Sequence, residues 1–226
     1  IQFAIQNDIV YVIEVNPRAS RTVPFISKII NIPLAKIAAQ ISVGKKIKDF
    51  NLIKYNRGLI GIKKPVFPFN KFPDQSVFLS PEMKSTGEVI GFDSEIGSAY
   101  AKAQAGANEE FPLSGVIFIS VNDQDKIKVV PIARDLLELG FNILSTKGTS
   151  KLLNENGIQS NAICKVGEGR PNIVDKIKNN EIQLIINTPL GEKSRFDEHE
   201  IGKAAIKFKV HAITTISAAK FMIRAI

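Results

Sequence analysis

The feature that most constrains the fold of this chain is the regular alternation of short apolar runs and amphipathic segments in its second half. Five β-rich runs alternate with five segments of helical spacing, and the runs are GVIFIS, FNILS, NAICKV, QLIIN and HAITTI. They are apolar throughout rather than at every second position, which is typical of parallel strands covered on both faces. The pattern predicts an α/β fold with a doubly wound parallel sheet from about Gly115 to Ile226.

The first helix of this alternation contains an irregularity. Its apolar residues recur at helical spacing and Gly140 closes it, but Pro131 lies inside. A proline removes one backbone N–H and clashes with the preceding turn, so the sequence predicts either a kink or a later helix start.

The first half of the chain is less regular. Two β-rich runs, Gln2–Gln6 and Ile9–Val15, flank Asn7-Asp8 and predict a hairpin. Two short helical patterns follow, FISKII and PLAKIAAQIS. The stretch KKPVFPFNKFPD contains three prolines and predicts an extended, irregular course.

A further helix is predicted ahead of the boundary between the two halves. It runs from about Ser94 to Ala105 and is capped by Asp93. The segment GANEEFPLS reads as a linker, which places the boundary near Phe111. The domains are therefore predicted as 1–110 and 111–226.

Composition limits the class of partner. The net charge of +8 favours anionic partners, yet the chain has no zinc-ligand spacing, aromatic RNA-binding signature or long basic block. No apolar run approaches the ~20 residues of a membrane span, and the N-terminus lacks the features of a secretory signal. With Cys164 as the single cysteine, an intrachain disulfide is excluded. We expect a cytoplasmic protein with no nucleic-acid or membrane partner, and a piece of a longer chain, because it lacks an initiator Met and opens in strand-like sequence.

The stretch IEVNPRASRT carries candidate metal chemistry. Glu14 and Asn16 lie two apart on a strand, so both side chains point to one face. Their oxygens are hard donors of the type that Mg²⁺ takes beside nucleotide phosphates, and Gln2 on the partner strand could add a third. Arg18 and Arg21 follow and could meet phosphate oxygens. A polar hairpin edge with an ordinary Asn-Pro turn explains the same residues, and both interpretations remain open on spacing alone.

Polar side chains follow several strands of the predicted sheet. Ligands of such sheets bind at the carboxyl ends of the strands, where loop amides and helix N-termini converge. Each residue alone could be a helix cap or a solvated lysine, but their coincidence predicts a phosphate-binding pocket. Its candidate residues are Lys126, Thr146, Thr149, Lys165, Asn187 and Thr188.

Motifs spread over most of the chain resemble one family. The blocks YVIEVNPRASRTVPFISK, PLAKIAAQ, PFNKFP, SPEMKSTGEV and AYAKAQAGAN closely resemble the C-terminal part of carbamoyl-phosphate synthetase large subunits. The resemblance implies the end of the second ATP-grasp domain, followed by an allosteric domain whose fold is shared with methylglyoxal synthase.

The resemblance implies roles for the N-terminal residues. Gln2, Glu14 and Asn16 would bind Mg²⁺ or Mn²⁺, with Glu14 and Arg18 at the ATP site and Arg18 and Arg21 beside the phosphates. The family makes carbamoyl phosphate from bicarbonate, glutamine-derived ammonia and two ATP, for pyrimidine and arginine biosynthesis. Implied partners are a glutaminase small subunit, the rest of the large subunit and further copies in an oligomer. Because the glycine-rich loop and adenine pocket are absent, we expect this chain alone to be inactive.

The resemblance also implies a regulatory ligand. The family's allosteric domain binds a nucleoside monophosphate, UMP or IMP. By carry-over, Lys126, Thr146, Thr149 and Lys165 would hold the phosphate, with Asn187 and Thr188 near the base or sugar. Arg170 is a further candidate phosphate neighbour, although a salt bridge explains it equally well.

Two departures bear on regulation. The loop NTPLGEKS places Pro189 and Glu192 where family members commonly have a threonine and a basic residue, which puts nucleotide preference in question. Members activated by ornithine have a Glu where this chain has Lys64, so we expect weak or absent ornithine activation. The alternatives are a stand-alone phosphate-binding module and a methylglyoxal-synthase-like lyase, which would need a carboxylate base beside the pocket.

Overall fold

The structure is a computed structural model that describes residues 1–52, 58–71, 83–188 and 192–226. The chain forms two compact units, Ile1–Arg57 and Gly58–Ile226, called here the N-terminal unit and the C-terminal unit. Pro189 and the side chain of Glu192, on which the expected nucleotide preference depends, lie outside the described residues.

The N-terminal unit opens with the hairpin predicted from the sequence. Strands β1 (Gln2–Gln6) and β2 (Ile9–Glu14) pair antiparallel. Asn7 and Asp8 both have left-handed backbone angles, with φ of 50° and 61°, as the two central positions of a type I′ turn require. Helices α1 and α2 follow at the two predicted helical patterns and span Thr22–Ile30 and Leu34–Ser42.

The C-terminal unit begins with a β-hairpin and a helix. Strands β3 (Ile60–Val66) and β4 (Gly87–Asp93) pair antiparallel, and helix α3 (Ile96–Gly106) packs on them. Lys63 to Val66 are extended, as expected, but the expected irregular course is wrong for them because they belong to β3. Pro65 is tolerated because a two-stranded sheet leaves one edge of each strand unpaired within the sheet, where the missing N–H costs no ladder bond.

Two glycines allow α3 to approach its neighbours closely. A Cβ on Gly91 of β4 would lie 2.0 Å from the carbonyl oxygen of Ala99, and one on Gly97 would lie 1.8 Å from that of Arg224. Both distances are far below van der Waals contact. Helix α3 therefore packs directly against β4 on one side and against backbone near the C-terminus of the chain on another.

The remainder is the doubly wound domain predicted from the alternating pattern. Its five parallel strands are β5 (Val116–Val121), β6 (Asn142–Thr146), β7 (Asn161–Ile163), β8 (Leu184–Thr188) and β9 (His211–Ile213). The spatial order is β7-β6-β5-β8-β9. The helices are α4 (Lys126–Glu138), α5 (Lys147–Glu155), α6 (Ile173–Lys178), α7 (Glu192–Lys207) and α8 (Ile216–Ile223).

Both faces of this sheet are buried, which explains the uninterrupted apolar runs. Alternate residues of β5 enter different cores. Ile117 and Ile119 pack with α4 and α8, whereas Phe118 packs with α6 and α7. Each of these three side chains is fully buried.

Pro131 does not delay the start of α4, which runs through it from Lys126 to Glu138. Pro131 is exposed, so the carbonyl that loses its helical partner lies on the solvent side and can bond to water.

Within the described ranges, no single helix has the length and apolar character to cross a membrane. Helices α1 and α2 pass that test only together, and they are bent by 113° at the break between them.

Candidate functional site

A cavity of about 400 Å³ lies at the carboxyl ends of the parallel strands. Strand β5 is the first in sequence, and the chain winds from it to β6 and β7 on one side and to β8 and β9 on the other. The ends of β5 and β8 are therefore the topological switch point, where open α/β sheets bind ligands. Ser120, Asn122, Asn187 and Thr188 bring these two ends to the cavity wall.

All six residues predicted for the phosphate pocket line this one cavity. They come from the ends of four strands and the helices that follow: Lys126, Thr146, Thr149, Lys165, Asn187 and Thr188. The prediction from strand ends thus located the residues that the fold brings together. Their individual roles remain predictions.

One wall of the cavity is the N-terminus of α5. Thr146 precedes the helix, but its side chain makes no capping hydrogen bond to the helix backbone; its hydroxyl instead donates to that of Thr149, at 3.3 Å. Gly148 presents backbone without a side chain, and the Nζ of Lys126 would lie 3.6 Å from a Cβ built there. First-turn amides, two hydroxyls and an ammonium thus face the same space, an arrangement that suits an anion.

A hydrogen-bonded corner joins the ends of β5 and β8. The side-chain amide of Asn122 donates to the backbone oxygen of Thr188 at 3.0 Å and to its hydroxyl at 3.2 Å. The side-chain oxygen of Asn122 accepts from the backbone N–H groups of Gln124 and Asp125. This corner fixes the loop between β5 and α4 against the end of β8.

Acidic side chains also line the cavity, among them Asp123, Asp197 and Glu198. Asp123 pairs with Lys126, its Oδ1 lying 2.5 Å from Nζ, and this contact together with the charge of Lys165 lowers the pKa of Asp123. Burial raises the pKa of Asp197 on α7, with the charge of Lys165 opposing that rise and Glu168 adding to it. The cavity therefore combines ammonium groups with acidic side chains.

The further lining residues include Asn122, Asp123, Asp197 and Glu198, which were not predicted from the sequence. Asn122 and Asp123 directly follow β5, so the rule applied to the other strands would have found them. Asp197 and Glu198 lie inside α7, where only the packing of the helix shows which residues face the cavity. Arg170 is not among the lining residues; its guanidinium lies 3.9 Å from Asp175 and is largely exposed, as the salt-bridge interpretation expected.

In the N-terminal unit the three candidate metal ligands lie together. Gln2 and Glu14 are opposite each other across the hairpin, and the side-chain amide of Asn16 donates to the Glu14 carboxylate at 2.8 Å. Among the described residues no three His, Cys, Asp or Glu side chains form a metal-binding group. One carboxylate and two amide oxygens nevertheless suit a hard cation that completes its shell with water or phosphate.

The candidate phosphate-contacting arginines follow that hairpin. The backbone N–H of Arg18 donates to the carbonyl of Asn16 at 2.8 Å. Arg21 occupies the position directly before α1.

A second polar cluster lies around Glu109, in the segment predicted as a linker. Its carboxylate accepts from the ammonium of Lys64 at 2.9 Å and lies 3.3 Å from Nδ1 of His211. These contacts, that of His211 foremost, lower the pKa of Glu109 to about 2 against the opposing effect of burial. Phe111 packs on the His211 ring and against the sheet core, so this segment is packed rather than extended into solvent.

The fold and cavity define a class, an α/β domain with a polar cavity at its switch point whose lining suits an anion. Comparison with known proteins identifies two family matches. The family described as "MGS-like domain" matches residues 128–214. The family described as "Carbamoyl-phosphate synthase L chain, ATP binding domain" matches residues 1–50.

Curated relatives match almost the whole chain. The carbamoyl phosphate synthase large chain of Acidobacterium capsulatum is 52% identical over 97% of this chain and 21% of its own length. The proteins named "Carbamoyl phosphate synthase large chain, C-terminal section" from Aquifex aeolicus and Methanopyrus kandleri are 44% and 51% identical. They match 100% and 98% of this chain, and 45% and 42% of their own lengths. The chain belongs to the carbamoyl-phosphate synthase large-chain family and corresponds to a C-terminal part of it.

The chain therefore spans about a fifth of the full-length relative and under half of the two separate C-terminal sections. The match includes both halves, which favours the synthase family over a stand-alone lyase or binding module. A crystal structure of methylglyoxal synthase from Elizabethkingia anophelis NUHP1 matches 50% of this chain and 79% of its own. Its sequence identity of 15% and TM-score of 0.41 are too low to carry a conclusion.

Proposed function

We propose that the cavity binds a nucleoside monophosphate, UMP or IMP, as the regulatory effector of an ATP-dependent ligase that makes carbamoyl phosphate. The observation that carries this proposal is the convergence of hydroxyls, amides and two ammonium groups at the switch point. A volume of about 400 Å³ lies in the range of small-molecule sites.

In this proposal the phosphate lies at the N-terminus of α5. The helix dipole and the first-turn N–H groups favour a negative charge there. The hydroxyls of Thr146 and Thr149 donate to phosphate oxygens, and Lys126 and Lys165 supply opposite charge. Asn187 and Thr188, across the cavity on β8, are left to contact the sugar or base.

We propose that the N-terminal unit contributes to the ATP site of the complete enzyme. Gln2, Glu14 and Asn16 would hold Mg²⁺ or Mn²⁺, which neutralises and orients the phosphates of ATP when bound. Arg18 and Arg21 would offset the charge of the phosphates. The pairing of Gln2 with Glu14 and the hydrogen bond from Asn16 to Glu14 support this proposal, but the amide of Asn16 would have to turn its oxygen toward the metal.

The complete enzyme would include parts that are not in this sequence. We propose the rest of the large subunit, a glutaminase small subunit and further copies in an oligomer as partners, and a cytoplasmic location. The ATP-grasp part would comprise 1–110 and the allosteric domain 111–226, with the packed segment around Glu109 between them. The chain alone would then bind effector without catalysing the reaction.

Calorimetric titration of the chain with UMP and IMP tests the effector site. Thr149 is 1% exposed and lines the cavity, so Thr149→Ala should weaken binding about 10- to 100-fold through loss of a hydrogen bond to a charged group. Thr214→Ala is the matched control because Thr214 is exposed and outside the cavity lining. Equal effects of the two changes, or no binding of either nucleotide by folded protein, would contradict the proposal.

We also propose that ornithine activates this enzyme weakly or not at all. The Lys64 ammonium is already bound to Glu109, and a cation there repels the ammonium of ornithine. Thermal unfolding with and without ornithine should give the same midpoint. A rise in the midpoint that depends on ornithine concentration would show specific binding and overturn this expectation.

A further inference from the structure

Asp123 occupies the part of the cavity where an anionic ligand would approach. Its carboxylate lies 2.5 Å from the ammonium of Lys126, which lines the cavity. Lys165, another lining residue, is close enough for its charge to lower the pKa of Asp123. The carboxylate is thus an internal negative charge placed among the groups that would bind a phosphate.

The surroundings of Asp123 fix its backbone but leave its side chain accessible. Asn122, the preceding residue, is hydrogen-bonded to Thr188 and accepts from the backbone N–H groups of Gln124 and Asp125. The side chain of Asp123 is 91% exposed, whereas that of Lys126 is 31% exposed. The carboxylate can therefore rotate into solvent without disturbing the loop, while the ammonium remains at the cavity.

We propose that Asp123 is an internal competitor for the anion-binding part of the cavity and sets the affinity for phosphorylated ligands. A phosphate that binds Lys126 replaces the Asp123 carboxylate, so the binding free energy includes the loss of one ion pair. This inference rests on the proposed function, since it assumes that a phosphate group enters between Lys126 and α5.

The expected size of the effect follows from the exposure of the pair. Solvent-exposed ion pairs contribute little, so Asp123→Asn should lower the dissociation constants of inorganic phosphate and UMP about two- to fivefold. The gain should shrink between about 0.05 M and about 0.5 M salt, because salt screens an exposed pair.

The test is calorimetric titration of the chain with inorganic phosphate and with UMP. The matched control is Glu155→Gln, which removes one negative charge from an exposed pair with Lys151 on α5, at 3.9 Å and outside the cavity lining. We expect tighter binding for Asp123→Asn and unchanged binding for Glu155→Gln. In a Lys126→Met background, Asp123→Asn should give no gain.

The outcomes separate this inference from the proposed function. If the unaltered chain binds UMP and Asp123→Asn binds no tighter, the effector site stands and Asp123 is not a competitor. If Asp123→Asn and Glu155→Gln raised the affinity equally, the change in net charge would explain the effect, and the inference would also be overturned. If neither the unaltered chain nor Asp123→Asn binds phosphate or UMP, the proposed function fails, and this inference fails with it. An Asp123→Ser variant should reproduce the gain of Asp123→Asn.

Discussion

The two units of this chain differ in how they use apolar residues. In the N-terminal unit every residue of β1 and β2 is exposed, and α1 and α2 contain no fully buried residue. In the C-terminal unit the apolar residues of the parallel sheet form two cores, one on each face. Burial of apolar surface is the main favourable contribution to folding, so the two units should differ greatly in the stability that they derive from their own contacts.

This difference shows that a unit with distinctive sequence motifs need not have a hydrophobic core of its own. The N-terminal unit has the distinctive EVNPRASRT motif, yet its apolar side chains, such as Ile5 and Ile13 at 72% and 63% exposed, remain on the surface within this structure. The doubly wound domain has fewer distinctive residues but a complete core. Substitutions in the two units can test this contrast.

Matched truncations test the contrast in burial directly. Ile185 is fully buried in β8, whereas Ile13 in β2 is 63% exposed. Ile185→Ala should lower the free energy of unfolding by about 2–5 kcal/mol, since it removes buried methyl groups and leaves a cavity. Ile13→Ala should cost less than about 0.5 kcal/mol. Urea unfolding monitored by circular dichroism measures the change in the free energy of unfolding for both variants. Similar costs would mean that the hairpin is covered in solution, and the contrast between the units would not hold.

A glycine substitution tests whether α3 belongs to the C-terminal unit. Gly97→Ala places a Cβ 1.8 Å from the Arg224 carbonyl oxygen. The energetic cost of this clash should exceed the gain from higher helix propensity, so the free energy of unfolding should fall by about 1–3 kcal/mol. Gly87→Ala is the control, because its Cβ would meet nothing within 4 Å. Thermal unfolding of both variants should give a clearly lower midpoint only for Gly97→Ala. Equal midpoints would show that α3 does not pack closely there.

The contacts of Glu109 with Lys64 and His211 should make part of the free energy of unfolding depend on pH. The pKa of Glu109 falls from 4.5 to about 2 in the folded state. A carboxyl group whose pKa is lowered by folding stabilises the folded state when the pH is above the pKa of the unfolded chain. That contribution is lost as the pH falls from about 4.5 toward about 2. Because this carboxylate is partly exposed, we expect Glu109→Gln to cost only about 1 kcal/mol at neutral pH.

Urea unfolding at a series of pH values measures this contribution. The difference between Glu109→Gln and the unaltered chain should shrink on acidification, whereas Glu155→Gln should show little difference at any pH. If the loss in free energy of unfolding caused by Glu109→Gln stayed constant down to about pH 2.5, the contacts of Glu109 with Lys64 and His211 would be ruled out as its cause.

The smallest expected effect concerns the turn of the N-terminal hairpin. Asp8 has φ of 61°, an angle that glycine adopts without steric cost. Asp8→Gly should stabilise the hairpin by about 0.5 kcal/mol. Amide hydrogen exchange should slow only in β1 and β2, without a shift in the urea midpoint of the C-terminal unit. A shift of that midpoint would show that the two units unfold together.

Much of the fold followed from periodicity alone. The five parallel strands and the five helices of the second half were predicted because each run is short, apolar and bounded by turn residues. The β1–β2 hairpin followed from Asn7-Asp8. Strand β3 was missed because Pro65 normally argues against a strand, and only the pairing with β4 shows that the strand runs through it.

The candidate site was predicted where strand ends define it and missed elsewhere. Thr146, Lys165 and Asn187 lie at or just after the ends of apolar runs, so their convergence can be anticipated from the sequence. Asp197 lies on a helix whose orientation depends on packing against the sheet. The contact of Glu109 with His211 joins residues about 100 positions apart, and no local pattern encodes such a pair.

The lengths of the outer strands have a consequence for association between molecules. Strands β7 and β9, at the two edges of the parallel sheet, have only three residues each. An edge strand exposes backbone donors and acceptors that can template pairing with another chain, and short edges limit that pairing. This sheet therefore offers little surface for growth into fibrils, and the doubly wound domain should resist strand-mediated aggregation at high concentration.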